Sequence, residues 1–215
     1  MGKAYNPAVL IAWLIIVQSV VFMAAAADVT KGKLLKSYDF IGGELGKEFI
    51  VKRGEWKIED GSLSAKEIKS QNHAASCHLI QQTTDAVIEF RFKTTSEGAK
   101  INVGFDPVKG ELDKVGHLHA VTISSKIVIM SMAADKKKPK EKPGAKLGRA
   151  RVKLKTDTWY QVQLVNIGGE CRLSIDGKQL IAGKHADIAV SKPAFIFRAF
   201  GEGVRIDDIT IWEIK

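Results

Sequence analysis

The sequence predicts an all-β fold, a two-sheet antiparallel jelly-roll sandwich that follows an N-terminal signal peptide. Three observations carry this. Short alternating runs rich in Val, Ile and Phe recur along the chain, Asp-Gly and other turn residues separate them, and no long amphipathic helix follows the first 27 residues. In that leader Lys3 is the sole charge, Val9 to Ala27 is apolar apart from Gln18 and Ser19, and the stretch closes on Ala24-Ala25-Ala26-Ala27 before Asp28. A basic start, an apolar middle and a small-residue close form the pattern that signal peptidase reads. The expected organisation is therefore a signal peptide over 1–27 and one domain over 28–215. The destination is periplasmic or extracellular, with no stable membrane span after cleavage. A retained anchor is the alternative, because the apolar run nearly reaches bilayer length.

The clearest strand is Asp85 to Thr94, with Ile88, Phe90 and Phe92 on one face and Glu89, Arg91 and Lys93 on the other. Period two with one wet side describes a half-buried strand. The same reading gives strands at Glu55–Glu59, Ser62–Lys66, Ile101–Phe105, His117–Ser124, Lys126–Met132, Thr158–Ile167, Glu170–Asp176, Pro193–Phe200 and Val204–Ile214. Asp60-Gly61 and Asp176-Gly177 sit between such runs, and that dipeptide accepts the positive φ of a tight hairpin. Hairpin-connected strands without helices leave a sandwich, a barrel or a propeller. The absence of a 40- to 50-residue repeat argues against the propeller.

The formal net charge is +9, but it is concentrated. Residues 136–151 hold Lys136, Lys137, Lys138, Lys140, Lys142, Lys146, Arg149 and Arg151 against Glu141 alone. The rest of the domain is close to neutral. A nucleic-acid binder spreads basic residues over a folded face with aromatics among them, so nucleic acid is not an expected partner. The run is expected to form a Lys/Pro-rich solvated loop over 135–148; contact with an acidic glycan or an anionic envelope surface is the sharper alternative. The two cysteines, Cys77 and Cys171, lie in apolar strand-like runs, either as buried thiols or as a pair in an oxidising compartment.

Several of these runs carry a resemblance. Trp56-Lys57-Ile58-Glu59-Asp60-Gly61-Ser62-Leu63 resembles the W-x-V-x-D-G-x-L hairpin of the 3-keto-disaccharide hydrolase domain family, within the concanavalin A-like lectin and glucanase superfamily. Val87 to Phe92, Thr158-Trp159-Tyr160, Leu173 to Gly177 and Ile206 to Trp212 resemble later landmarks of that family, so the likeness spans about 38–214. The family's usual opening is replaced here by Tyr38 to Gly46. The resemblance implies a concanavalin A-like sandwich and, at its most specific, 3-keto-sugar hydrolysis.

The residues with chemistry to offer are mainly histidines. His117-Leu118-His119 has period-two spacing, which predicts both imidazoles on one strand face. Such a pair is half of a metal site for a divalent ion, the one cofactor anticipated, and Glu67, His185 and Asp106 are the candidates to complete it, with His117, His119 and Asp106 as the set expected. Glu67, His117, His119 and His185 are the candidate catalytic acids and bases, and His73 and Trp159 the candidate ligand contacts. Glu111-Leu112-Asp113 begins the carboxylate pattern of a retaining glycosidase but runs into Gly116. No phosphate loop, nucleophile elbow, CxxC or HExxH motif is present. The expected function is a secreted carbohydrate-directed module that binds or supports turnover of glycans. A 3-keto-sugar hydrolase or lyase is the first alternative, and a structural envelope protein without catalysis the second. The sequence leaves the oligomeric state open.

Overall fold

Asp60 and Gly61 adopt φ of 47° and 64°, and Asp176 and Gly177 adopt 48° and 75°, the left-handed conformations of tight hairpin turns. The first pair joins β3 (Glu55–Glu59) to β4 (Ser62–Lys66), and the second joins β12 (Glu170–Ile175) to β13 (Lys178–Lys184). A computed structural model describes residues 29–215, and the expected signal peptide lies outside the described residues. The other strands are β1 (Lys31–Tyr38), β2 (Phe49–Arg53), β5 (Ala75–Thr83), β6 (Ala86–Thr94), β7 (Lys100–Phe105), β8 (His119–Ser124) and β9 (Ile127–Met132). They continue as β10 (Ala145–Arg151), β11 (Tyr160–Ile167), β14 (Lys192–Phe200) and β15 (Val204–Ile214).

These strands form two antiparallel sheets, as the alternation predicts. The first runs β13-β12-β11-β6-β15-β4-β3, and β1 also pairs with β15; the second runs β10-β9-β8-β7-β14-β5-β2. β15 serves two neighbours on one edge, because its first residues pair with β4 and its last with β1. A bulge at Asp207–Asp208, with Asp208 at φ 48°, makes the change of partner. The inward face of each strand fills one core. Phe90 of β6 meets Phe197 of β14 edge-on, with ring centroids 5.5 Å apart, and Phe105 meets Phe195 in the same way. Each fully buried phenylalanine of this kind contributes about 2–3 kcal/mol of transfer free energy. Cys77 on β5 and Cys171 on β12 are both buried and free, and burial pushes both thiols up to about 12.

The basic run is an exposed loop as far as Gly144, and strand β10 then overlaps the end of the expected loop. Its second half is β10, an edge strand whose Lys146, Arg149 and Arg151 are exposed. Charged side chains on an edge also discourage pairing with another sheet. Its first half is solvent-exposed but anchored at its start. Asp135, only 3% exposed, accepts hydrogen bonds from the backbone N–H of Val115, Lys137 and Lys138. Those three contacts hold the Asp135 carboxyl down at about 2. Lys142 closes the loop onto Asp113.

Candidate functional site

The site is built on the face of the second sheet that points away from the core. In β14, Phe195, Phe197 and Ala199 enter the core, so Ile196, Arg198 and Phe200 lie on the other side. Strand register then lines up a row across the sheet. Arg53, Ser76, Arg198, Asn102, Thr122, Ile129 and Arg149 occupy matching positions on successive strands. The parallel row beside it runs Ile50, His78, Ile196, Gly104, Ala120 and Ser131.

Arg198 organises this face. Its Nη1 donates to Asn102 Oδ1 at 2.9 Å, and Asn102 Nδ2 donates to Thr122 Oγ1 at 2.8 Å. The guanidinium crosses directly over Gly104, where a Cβ would fall 2.2 Å from Nη1, so the absent side chain there makes the channel. Its Nη2 lies 3.3 Å from both ring nitrogens of His117, the geometry of a cation resting on the ring. His117 Nδ1 is 2.6 Å from Asp106 Oδ1. A carboxylate only accepts, so Nδ1 carries the proton and Nε2 is left as the acceptor. Burial would raise the Asp106 carboxyl, but the His117 hydrogen bond and the nearby His117, Arg198 and His78 charges outweigh it and hold it below its ordinary value. His78 is pushed below the ordinary histidine value, first by burial and further by Lys52, Arg198 and His117, with Asp106 opposing. At neutral pH the cluster therefore offers an ionised carboxylate, a permanent guanidinium and a neutral His78, with hydroxyl and amide groups beside them. Lys100 sits 4.6 Å over the Phe200 ring at one margin. This is a surface of fixed donors and acceptors with some flat apolar area, suited to hydroxyl-rich ligands.

Only part of the predicted set converges here. His117 and Asp106 meet, but His119 does not join them, which corrects the expectation of a shared face. The regular strand begins only at His119, and the residues before it do not alternate. His119 is fully buried in the core, stacked on Phe105 with centroids 4.4 Å apart, and Nε2 lies 3.2 Å from Asn166 Oδ1. The divalent-metal set of His117, His119 and Asp106 is thus split between two sides of one sheet. Among the described residues no group of three or more His, Cys, Asp or Glu side chains has a metal-binding arrangement.

The remaining candidates lie elsewhere and hold turns. Glu67 Oε2 accepts from Gly201 N at 2.9 Å, beyond the end of β14. His73 Nδ1 lies 2.8 Å from Ala74 O, and both residues line a shallow pocket of about 350 Å³. His185 caps a short 3-10 helix by accepting from Asp187 N, at the opposite end of β14, where a pocket of about 470 Å³ opens beside Leu112, Lys114 and Met132. Trp159 lies just before β11 and packs on the other sheet, with Arg91 and Lys93 of β6 about 5 Å from its ring. Arg198, His78, Asn102 and Phe200 were not predicted. Arg198 had a visible signal, a lone charge within the apolar run Ala194-Phe195-Ile196-Phe197-Arg198-Ala199-Phe200.

Two packed antiparallel sheets, with the terminal strands paired, make this an all-β jelly-roll sandwich. Solved structures share the fold at low identity. A protein of unknown function with a galectin-like fold from Bacillus subtilis is 13% identical, with a TM-score of 0.64 over 87% of this chain and 99% of that one. The carbohydrate-binding module CBM66 from Bacillus subtilis is 9% identical, with a TM-score of 0.62 over 77% of this chain and 96% of that one. LamA from Z. galactanivorans, in complex with laminaritriose and laminaritetraose, is 10% identical, with a TM-score of 0.65 over 86% of this chain and 100% of that one. No protein-family model and no curated protein matches the sequence.

Proposed function

We propose that this is an exported carbohydrate-directed module that binds glycan on the outer face of its second sheet. One observation carries the reading: Arg198 is laid across Gly104, fixed by Asn102 on one side and His117–Asp106 on the other. Side chains held this way present a preorganised set of donors and acceptors, and preorganisation reduces the ordering cost of binding. The presence of a carbohydrate-binding module and an oligosaccharide-bound protein among the solved structures of this fold supports it. Export rests on the leader, and among the described residues no helix is long and apolar enough to cross a membrane.

A second reading is favoured by the His117–Asp106 pair alone. A carboxylate-oriented imidazole whose Nε2 carries no proton is the arrangement of a general base, here with Arg198 beside it, and a 3-keto sugar offers it an acidified C–H beside the carbonyl. That would make the protein a 3-keto-sugar hydrolase or lyase.

One panel separates these readings. Neutral and acidic glycans and a 3-keto-glucoside are offered to the protein, to Arg198→Gln and to Gly104→Ala. Arg198→Gln is expected to weaken glycan binding by about 2 kcal/mol, roughly thirtyfold. Gly104→Ala, which displaces only the flexible end of Arg198, is expected to weaken it comparably with an unchanged melting temperature. Release of product from the 3-keto-glucoside by the wild-type protein, lost in His117→Gln, would move the enzyme reading to first place. Full binding by both site variants would remove the face from consideration. Absence of any binding or turnover would favour a structural envelope role.

A further inference from the structure

The seven strands of the second sheet contain no aspartate and no glutamate. The first sheet is the opposite case. Its Glu55, Glu59, Glu89, Glu170, Asp207 and Asp208 each form an ion pair with a basic neighbour. On the second sheet the basic residues have no such neutralisation. Among the described residues Arg53, Lys146, Arg149 and Arg151 have no ion pair, and Lys52 bears on His78 without one. Among the described residues Asp106 is the carboxylate that acts electrostatically on His78 and Arg198, and His117 already occupies it.

The cations are also ordered. Arg53 stands opposite Ser76, Arg198 is central, and Arg149 closes the same row on the far edge strand. At a strand spacing of about 4.8 Å, Arg198 lies about 10 Å from the Arg53 position and about 19 Å from the Arg149 position. All three are arginines, whose planar fork matches an anion held in two-point contact, whereas a lysine offers only a point charge. Between them lie Ser76 and Asn102, both buried, and the part-exposed Thr122, neutral groups that add no charge to the row.

We infer that the ligand of this face is an anionic polysaccharide, lying across the strands along the Arg53–Arg198–Arg149 row with its carboxylate or sulfate groups on the guanidinium forks. This rests on the glycan-binding reading above and narrows it to a class of glycan. A neutral polymer would leave the cations unmatched, while an acidic one meets strands that carry no carboxylate among the described residues, beside an Asp106 already occupied by His117. Nucleic acid is the less suited polyanion, because the row carries no Phe, Tyr or Trp and the neighbouring Phe200 is already covered by Lys100.

Affinity electrophoresis of the full protein tests this with polygalacturonate, dextran sulfate, unmodified dextran and laminarin in the gel. Polygalacturonate and dextran sulfate should retard it, with retardation falling steeply as salt rises, while dextran and laminarin should not. The relative retardation by the first two identifies which anion the forks prefer. The double variant Arg53→Glu/Arg149→Glu, both positions exposed and free of packing roles, should weaken polygalacturonate binding by about tenfold or more. Lys137→Gln/Lys138→Gln/Lys140→Gln on the neighbouring loop should change it far less. Equal or stronger retardation by the neutral polymers would overturn the inference while leaving the glycan-binding reading in place. Retardation by no polysaccharide would remove both. Equal affinity for duplex DNA or for phosphatidylserine vesicles would also overturn it, as would loop variants that match the double arginine variant.

Discussion

Replacing Lys192 by methionine is expected to lower the melting temperature by about 10 °C. Lys192 is 1% exposed, yet its ammonium is fully coordinated, donating to Thr84 O at 2.7 Å, Ile188 O at 2.6 Å and Val190 O at 2.8 Å. It ties the end of the short helix Ala186–Ala189 to the turn between β5 and β6. Methionine fills similar volume but leaves three carbonyls without this donor. The loss of each buried partner costs about 1–3 kcal/mol, partly offset because no charge is then desolvated, for a net of about 3 kcal/mol. In a domain of this size that corresponds to roughly 2–4 °C per kcal/mol. Burial pushes the lysine down to about 8 from its ordinary 10.5. Between those values the unfolded chain binds the proton and the folded chain has released it, so this group makes stability rise with pH through that window. Thermal scans from pH 7 to 10 should show that contribution in the wild type and its loss in Lys192→Met. A variant as stable as the wild type would mean that the three carbonyls find other donors.

His119 gives the second large effect. Truncation to alanine removes a ring stacked on Phe105 and the partner of Asn166, and a cost of about 3–4 kcal/mol is expected, in the range of large-to-small core substitutions. Burial, and then the Lys192 charge, lower this histidine to about 3 from 6.5. Its neutral form is thus part of the folded state. Above the unfolded value the contribution is fully present, and as pH falls from 6.5 towards 3 the unfolded chain takes up the proton first and stability is lost. His119→Gln cannot titrate, so urea midpoints measured across that range should fall less steeply in it than in the wild type. Parallel slopes would place the acid sensitivity in other groups. Neither variant should alter glycan affinity, because His119 faces the core.

The contrast between His117 and His119 shows where sequence reading stopped. Period-two spacing is informative only inside a strand, and here the strand starts at the second histidine. The hairpins were legible because Asp60-Gly61 and Asp176-Gly177 need positive φ, a local requirement. β6, with Ile88, Phe90 and Phe92 inward, was legible for the same kind of reason. β10 was not, because an edge strand with Lys146, Arg149 and Arg151 outward buries too little to show alternation. The candidate site was harder still. Arg198, Asn102, Thr122 and His78 come from β14, β7, β8 and β5, and only the register of the sheet brings them into contact. Asp106 was one of three residues expected to complete a metal site with His117, and in the fold it accepts a hydrogen bond from that histidine.

Amide chemical-shift mapping of the protein titrated with oligogalacturonate tests the central claim most directly. The account predicts perturbations concentrated at Ser76, His78, Asn102, Gly104, Thr122 and Arg198, on the outer face of the second sheet. Shifts confined to the first sheet around Trp159, or to the rim pocket beside His185, would contradict it.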